Sequence, residues 1–365
     1  MQRYCFFLTY ARKQRKKCSQ HPLFVRTKQI KLHFIGKKIP ECLHMCNFCC
    51  TFVRSFTYAA SYVMKKVTVI MPNYNHARYL KQRMDSILAQ DYPDLEVIVL
   101  DDASTDDSLA ILQSYENHPK VVRVLTNEHN SGNTFAQWQR GLEMATGDYI
   151  WIAESDDVAE PTLLSRLVAA LEQKKASLAF CHSQWIDSEG QPIARSLDPR
   201  WKRDFSMAGA TFVRRYLLGY NSICNASAVV FKREAAQAVE MAKVIQYTAS
   251  GDRLFWIQIA LQGRVAYVAD SLNRFRQHTN KVSGGAENMG VNIVQDHAIY
   301  RMMKDVLGLS GNEKRWICGY HWKAMHRETV SNEGRISALL AWSNEPEFGR
   351  MSYLFYLLHR AKEKC

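Results

Sequence analysis

The chain has 365 residues, of which 47% are hydrophobic, and its formal net charge is +13. This length could hold two domains with a sizeable core. A charge of that size suggests nucleic-acid binding, but residues 1–63 hold 12 Lys and Arg against a single Glu, a net charge of +11. The other 302 residues hold 36 Lys and Arg against 34 Asp and Glu, a net charge of only +2. The body is thus nearly neutral, which argues against a nucleic-acid partner.

The basic leader at residues 1–63 contains six of the ten cysteines and no Asp. Its Cys and His residues lack a second ligand pair at zinc-finger spacing. Residues 45–64 are mostly apolar but include Asn47 and Arg54, so they fit a membrane span only weakly, and a cleavable signal peptide fits poorly. We therefore predict that translation begins at Met64 and that the leader is a disordered or non-native extension. Four scattered cysteines in the body suggest no disulfide framework, which fits a reducing, cytoplasmic compartment.

From residue 66 onwards, short apolar runs alternate with amphipathic stretches. Continuous β-branched runs are typical of strands that are buried on both faces. The predicted strands are residues 67–71, 95–100, 121–125 and 149–153. The predicted helices are residues 77–90, a helix that begins after Ser104 or Thr105, residues 134–145, and a helix from Pro161 to Leu171. This alternation predicts an α/β fold with a parallel, doubly wound sheet.

Polar residues follow three of the predicted strands. Sheets of this kind bind ligands beyond the carboxyl ends of their strands, where the sequence places Tyr74, Asp102 and Asp157. The adjacent carboxylates Asp156 and Asp157 repel each other unless a cation neutralises them, and the usual cation is Mg2+ or Mn2+. Asp102 could accept hydrogen bonds from a base on which Tyr74 stacks. The structural alternatives are a solvated turn for the acidic pair and helix capping for Asp102.

The turn after the first strand, residues 71–75, contains no glycine. A dinucleotide-binding Rossmann domain and a P-loop both need glycines there, so that the backbone can approach the phosphates. Both are excluded on this ground. A diphosphate would therefore have to be held by a metal ion on the carboxylates.

Four ordered motifs carry a family resemblance. They are VTVIMPNYN at residues 67–75, VLDDASTD at 99–106, NSGN at 130–133 and GDYIWIAESDD at 147–157. Together they resemble the family-two inverting glycosyltransferases of GT-A fold, of the bacterial surface-polysaccharide type. The resemblance implies a GT-A domain with a mainly parallel sheet and flanking helices at residues 64–290. Within it, residues 64–180 would bind the nucleotide-sugar and 181–290 would face the acceptor, and a helical, basic and aromatic region would follow at 291–365.

The resemblance also implies roles at the donor site. Pro72 and Tyr74 would line the pocket for the base, and Asp102 would bind the base. Asp156 would bind the ribose. These four residues are the expected nucleotide-binding set.

A second set of roles concerns the metal and the chemistry. Asp157 would hold Mn2+ or Mg2+ at the diphosphate, and His278 would complete the ligands of the metal. Asp252, which opens an apolar helix, resembles the catalytic base that deprotonates the acceptor hydroxyl; the structural alternative is a plain helix N-cap. Arg276 could contact the diphosphate. Glu154 stands where many relatives have Asp, which leaves its part in metal binding open.

The implied enzyme moves one sugar from a nucleotide-diphosphate donor, a UDP-sugar by preference, to a hydroxyl of a saccharide or lipid-linked saccharide in cell-surface glycan synthesis, such as lipopolysaccharide or O-antigen. Two alternatives stay open: a nucleotidyltransferase-like sugar-nucleotide enzyme, and a non-catalytic carbohydrate or nucleic-acid binder anchored by the leader. The helices after residue 290 could make peripheral contact with an anionic membrane or pack on the catalytic domain.

Overall fold

The computed structural model describes residues 65–194, 201–223, 225–278 and 282–362. The expectations for residues 1–63 lie outside these ranges. Residues Lys65–Cys365 group into one compact unit. In the part of the chain that the structure describes, no helix combines the length and the apolar character needed to cross a bilayer.

The first half of the unit alternates strands and helices as the sequence predicts. Its elements are β1 (Val67–Asn73), α1 (Ala77–Leu88), β2 (Leu95–Asp101), α2 (Ser108–Gln113), β3 (Val121–Thr126), α3 (Thr134–Met144), β4 (Tyr149–Ile152), β5 (Val158–Ala159) and α4 (Leu163–Lys174). All seven residues of β1 and all seven of β2 are buried, as a sheet with helices on both faces requires.

The second half adds four more strands and nine helices to the described residues. Its elements are β6 (Ala176–Ile186), β7 (Phe205–Ala208), α5 (Gly209–Phe212) with a π-helical turn (Val213–Leu217), a 3₁₀ turn (Ala226–Ala228), β8 (Val229–Lys232), α6 (Arg233–Ala236), α7 (Met241–Val244), α8 (Gly251–Leu261), β9 (Arg264–Arg276), α9 (Val282–Asn288), α10 (Val291–Val306), α11 (Gly311–Met325), α12 (Asn332–Trp342) and α13 (Arg350–Lys362).

The described strands form one mixed sheet in the order β3-β2-β1-β4-β8-β6-β9-β5, with β7 on β9. The first four strands are parallel, as predicted. The second half of the sheet is mixed, because β6 and β9 are parallel to each other whereas β8 runs antiparallel to both β4 and β6. The strands β5 and β7 also run antiparallel to β9. The parallel half brings the ends of β1, β2 and β4 to one edge.

Hydrophobic core lies on both faces of the sheet because successive strand residues point to opposite sides. On one face, Ile70 and Ile150 pack with Trp138 of α3 and with α8. On the other face, Val69 and Trp151 pack against α1 and α4. Helix α1 presents its buried residues at the helical spacing of 80, 83, 84 and 87, and one of these is a charged residue, Arg83.

The helices after residue 290 pack on the rest of the unit. Arg214, in the turn after α5, forms an ion pair with Glu313 of α11 at 3.3 Å. His321 of α11 lies with Nε2 3.1 Å from the backbone oxygen of Leu218. These contacts show that α11 packs on the preceding part of the unit.

Candidate active site

The turn after β1 is tied to the turn after β2 through side chains. Asn73 donates from Nδ2 to Asp101 Oδ1 at 2.8 Å, and Asp101 also accepts from the hydroxyl and the backbone N–H of Ser104, at 2.6 and 3.0 Å. Asn75 and Ala103 have left-handed backbones, with φ of 53° and 58°. Asp101 therefore shapes the two turns that carry Tyr74 and Asp102, two of the residues predicted to bind the donor.

Tyr74 and Pro72 differ in their availability to a ligand. Tyr74, beyond the end of β1, is 42% exposed, so its ring is free to stack on a base. Pro72 is buried within β1, where it pairs with Leu100 of β2. The predicted contact of Tyr74 with a base fits its position, whereas Pro72 can act there only by fixing the strand end.

Asp102 is held by three neighbouring side chains. Its Oδ1 accepts from Asn127 Nδ2 at 2.6 Å, from the backbone N–H of Ser131 at 2.9 Å and from Gln137 Nε2 at 2.8 Å. Its Oδ2 accepts from the Ser131 hydroxyl at 2.7 Å. A carboxylate oxygen has two lone pairs, so Oδ2 can take one further donor. The predicted hydrogen bond to a base is compatible with this arrangement.

The two adjacent carboxylates have different surroundings. Asp157 is 1% exposed, and it accepts from the backbone N–H of Arg276 at 2.9 Å and from Asn225 Nδ2 at 2.8 Å. Burial and the charge of Asp156 raise the pKa of Asp157 above its ordinary value. Asp156 instead places Oδ2 3.0 Å from Nε2 of His278. The geometry thus joins His278 to Asp156 rather than to Asp157.

A third potential ligand lies beside this pair. Among the described residues, the side chains of His76, Asp156 and His278 each offer a ligand atom, and these atoms all lie within 4.8 Å of one another. Nδ1 of His76 contacts the Ser155 hydroxyl at 2.8 Å, which orients the ring. Burial lowers the pKa of His76 and favours the neutral imidazole that binds metals. The two rings and the carboxylate fit a divalent metal.

Arg276 has a structural place instead of the predicted contact with a diphosphate. It is 1% exposed, and its Nε donates to the backbone oxygen of Asp156 at 2.7 Å. Its Nη1 donates to the backbone oxygens of Asp187 and Ser188 at 3.0 and 3.1 Å, and its Nη2 donates to Gln82 Oε1 at 2.7 Å. Arg276 therefore fixes the turn that carries Asp156 and Asp157.

A buried charge that was not predicted from the sequence lies near the turn that carries Asp156 and Asp157. Arg83 packs its guanidinium over the Trp151 ring at 4.9 Å and donates to the Ser227 hydroxyl at 3.1 Å. The Ser227 hydroxyl also accepts the backbone N–H of Glu154 at 3.0 Å. Burial lowers the pKa of Arg83 to about 10. The positive charge of Arg83 partly offsets the negative charges of Asp156 and Asp157. The sequence signal for this residue is an Arg at an apolar position of α1.

Glu154 points toward α3. Its Oε1 accepts from Trp138 Nε1 at 3.1 Å, and burial together with the charges of Asp156 and Asp157 raises its pKa to about 8. It is absent from the group of potential metal ligands found in the described residues. The described contact of Glu154 is therefore with Trp138 of α3 rather than with the potential metal ligands.

Asp252 lies in the first turn of α8, a helix that is buried almost all round. Gly251 fits there because a Cβ would come within 2.5 Å of the Phe135 ring of α3, the helix that also supplies Gln137 to Asp102. Asn221 donates from Nδ2 toward Asp252 Oδ2 at 3.4 Å, and burial raises the pKa of Asp252 to about 6. A carboxyl group in this state suits a general base.

Comparisons with known proteins agree with these features. The family model "Glycosyl transferase family 2" matches residues 68–239. An uncharacterized glycosyltransferase of Nostoc sp. is 27% identical over 219 residues, which cover 58% of this chain and 65% of that protein. TuaG of Bacillus subtilis, a candidate teichuronic acid biosynthesis glycosyltransferase, is 26% identical over 218 residues, which cover 60% of this chain and 81% of TuaG.

Among solved structures, residues 1–349 of TarS from S. aureus, crystallised with UDP-GlcNAc, match with a TM-score of 0.59. The match covers 82% of this chain and 88% of that one at 18% identity, so it bears on the fold alone. Family model, curated relatives and fold agree with the resemblance that the motifs carry. Residues 68–239 therefore match glycosyl transferase family 2, and the fold of the described residues is GT-A-like.

Proposed function

We propose that this protein is a metal-dependent, inverting glycosyltransferase that moves a sugar from a nucleotide-diphosphate donor to a hydroxyl group of a saccharide. The observation that carries the proposal is the convergence of Tyr74, Asp102 and Asp156 at the carboxyl ends of β1, β2 and β4, because β1 pairs directly with the other two strands. The TarS structure with UDP-GlcNAc bound supports a UDP-sugar as the donor.

The base of the donor would lie between Tyr74 and Asp102. The exposed Tyr74 ring offers a face for stacking, and Asp102 Oδ2 offers a lone pair to a ring N–H of the base. Pro72 would set the end of β1 from which Tyr74 emerges.

The metal would be held by Asp156 and His278, with His76 as a third ligand. Two imidazoles and one carboxylate suit Mn2+ better than Mg2+, which prefers an all-oxygen shell. When bound, the ion would offset the charge of the departing nucleoside diphosphate. The earlier assignment of the metal to Asp157 stays a prediction, and the contacts of Asp157 with Asn225 and the backbone of Arg276 favour Asp156 instead.

Asp252 would act as the base. Its carboxylate would take the proton of the acceptor hydroxyl as the hydroxyl oxygen attacks the anomeric carbon. The new oxygen–carbon bond would form on the face opposite the nucleoside diphosphate, whose own bond to that carbon breaks. Burial makes this carboxylate more basic than an ordinary Asp while leaving it ionised at neutral pH. Asn221 orients it through the Nδ2 contact.

The acceptor would be a saccharide or a lipid-linked saccharide of a cell-surface glycan, handled at the inner face of the membrane. TarS is named as a poly(ribitol-phosphate) β-N-acetylglucosaminyltransferase, which supports a surface polymer as the class of acceptor. On α13, Met351, Leu354 and Leu358 are 76%, 52% and 61% exposed at the spacing of one helix face. Arg350 and Arg360 bracket this face, a pattern that suits peripheral contact with anionic lipid.

The decisive experiment is calorimetric titration of the protein with UDP, GDP, dTDP and CDP, each with and without Mn2+. We expect Mn2+-dependent binding of one nucleotide, UDP first. Asp252→Asn should keep that binding and lose transfer. Failure of all four nucleotides to bind a protein shown to be folded would contradict the proposal.

The two alternatives lack a supporting feature in the site. A nucleotidyltransferase normally carries a Gly-rich basic loop after the first strand, and residues 71–75 have none. A binder anchored by the leader would lose affinity steeply when residues 1–63 are deleted, whereas the proposed enzyme would keep its nucleotide affinity.

A further inference from the structure

Arg253 follows the proposed base directly in the chain, yet it pairs with a different carboxylate. Its Nη1 lies 3.0 Å from Oδ2 of Asp296 on α10, and the two side chains are only 9% and 6% exposed. The other oxygen of Asp296, Oδ1, has no hydrogen-bond partner within the described ranges. The ion pair with Arg253 and a side-chain hydrogen bond with Ser250 both favour the charged form of this buried carboxylate.

The same helix α10 holds the backbone just before the base. Gln295 Oε1 accepts the backbone N–H groups of Ala249 and Ser250, both at 2.9 Å. The C-terminal helices thus fix both the start of α8 and the side chain of Arg253. Asp252 lies between these two points of attachment.

His321 of α11 completes the surroundings of the ion pair. Its Nδ1 lies 4.0 Å from Asp296 Oδ2, and its ring stacks on Trp342 of α12 with 4.3 Å between centroids. Burial lowers the pKa of His321 to about 3, so it brings no charge of its own. The other titratable or charged groups that act on Asp296 and Arg253 are Tyr247, Tyr320 and Arg327.

A buried ion pair is a poor source of stability, because the loss of hydration offsets most of the attraction between the charges. The position of this pair suggests another use. The guanidinium of Arg253, once released from Asp296, could act more strongly on Asp252, the preceding residue of α8, because its charge already reaches that carboxyl group. Its charge lowers the pKa of Asp252, whereas the charge of Asp296 raises it.

We propose that Asp296 is a positioning residue for catalysis: it holds Arg253 on the α10 side and so keeps the Asp252 carboxylate unpaired and available to the acceptor hydroxyl. This inference rests on the proposed role of Asp252. It makes the C-terminal helices part of the catalytic unit, since the residue that sets the state of the base lies on α10.

The test is the titration of the Asp252 carboxyl in the full chain, followed by NMR with aspartate labelled at the carboxyl carbon and assigned through Asp252→Asn. We expect Asp296→Asn to lower the titration midpoint by about one pH unit, because the freed Arg253 then pairs with Asp252. Arg253→Gln should raise the midpoint instead. In the Arg253→Gln background, Asp296→Asn should produce only the smaller downward shift that comes from losing the charge of Asp296 itself, because no guanidinium remains to be released.

The matched control is Glu345→Gln. Glu345 is a carboxylate of similar burial in the same helical layer, and it contacts His297 and Lys304 at 3.1 and 2.8 Å. It should leave the Asp252 midpoint in place, and Asp296→Glu should restore a midpoint close to that of the parent protein. An unchanged midpoint in Asp296→Asn, or a full shift in the Arg253→Gln background, would overturn the proposal.

If Asp296→Asn fails to fold, Arg253→Gln tests the proposal alone. An unshifted Asp252 midpoint in that variant would show that Arg253 and Asp252 are not coupled and would overturn the proposal. The readout does not depend on transfer. Sugar transfer retained by Asp252→Asn would overturn the proposed function, whereas the midpoints judge the role of Asp296 separately.

Discussion

Asp156 and Asp157 are neighbours in the chain, but only Asp156 lies with His76 and His278. We expect Asp156→Asn to weaken Mn2+-dependent nucleotide binding at least about tenfold, because it removes the only carboxylate of the ligand group. Asp157→Asn should instead lower the free energy of unfolding by about 1–3 kcal/mol, because Asn keeps a single acceptor oxygen and one of the two donors, Asn225 or Arg276, loses its buried partner. Calorimetric titration and thermal unfolding measure the two effects separately.

The control for this pair is Asp270→Asn. Asp270 is an exposed carboxylate whose side chain is 46% accessible and pairs with Arg166 at the surface. It should change neither quantity. Loss of metal-dependent nucleotide binding in Asp157→Asn, with binding intact in Asp156→Asn, would identify Asp157 rather than Asp156 as the metal ligand.

The pH dependence of transfer should report Asp252. Burial raises its pKa to about 6, and a base acts only when deprotonated. We expect kcat/KM to be level above that pH and to fall about tenfold per pH unit below it. The profile is measured at saturating Mn2+, so that protonation of the imidazole ligands does not contribute. A midpoint near the ordinary Asp value of about 4 would show that the base is not a buried carboxyl.

The candidate site residues that the sequence predicts are those whose position depends on local features of the chain. The pair Asp156-Asp157 and the acid after β2 follow apolar runs, so their place at strand ends can be predicted. The partner of each acid could not be predicted, because His278 lies 122 positions after Asp156 in the chain and Asn225 lies 68 positions after Asp157. Such pairing depends on how β8 and β9 cross the sheet.

At the scale of elements, β1, β2 and β4 were predictable because all of their residues are buried and their apolar runs are unbroken. Strand β9 was not. It has 13 residues with exposed positions in its interior, and its pairing with β6 shifts register three times. A bulged strand loses the strict alternation from which a strand is recognised. The mixed second half of the sheet could therefore not be predicted from the sequence.

The packing of α11 on α13 depends on one small residue. A Cβ at Gly319 would lie 2.1 Å from the backbone oxygen of Ser352 and 2.7 Å from Cβ of Tyr356. We expect Gly319→Ala to lower the free energy of unfolding by about 1–3 kcal/mol, because backbone cannot yield as a side chain can. Urea unfolding followed by circular dichroism measures the change.

Gly311 provides the matched control within the same helix. A Cβ there would meet nothing within 4 Å, so Gly311→Ala should be neutral or slightly stabilising. Equal destabilisation by the two substitutions would contradict close packing at Gly319 as the cause, because Ala favours a helix more than Gly does. Nucleotide affinity should be unchanged in both variants, because the donor site is formed by the strand ends.

At the scale of the whole molecule, charge and exposed apolar surface are separate features. Most of the net charge lies in residues 1–63, which are outside the described ranges, and the remaining residues are nearly neutral. Exposed apolar side chains nevertheless cluster on α13, where residues 350–360 contain Arg350, His359 and Arg360 and no Asp or Glu. This local excess of positive charge lies beside an apolar face, so attraction to anionic lipid does not require the leader.

We therefore expect the protein lacking residues 1–63 to float with vesicles that contain phosphatidylserine and to float less as salt screens the charges. Leu354→Ser with Leu358→Ser should reduce binding at least about tenfold, because two leucines no longer enter the lipid. Val306→Ser is the control: Val306 is 72% exposed but lies at the end of α10, so binding should persist. Equal binding to neutral and anionic vesicles, or no loss in the double variant, would remove α13 as the contact and leave its leucines to a protein partner.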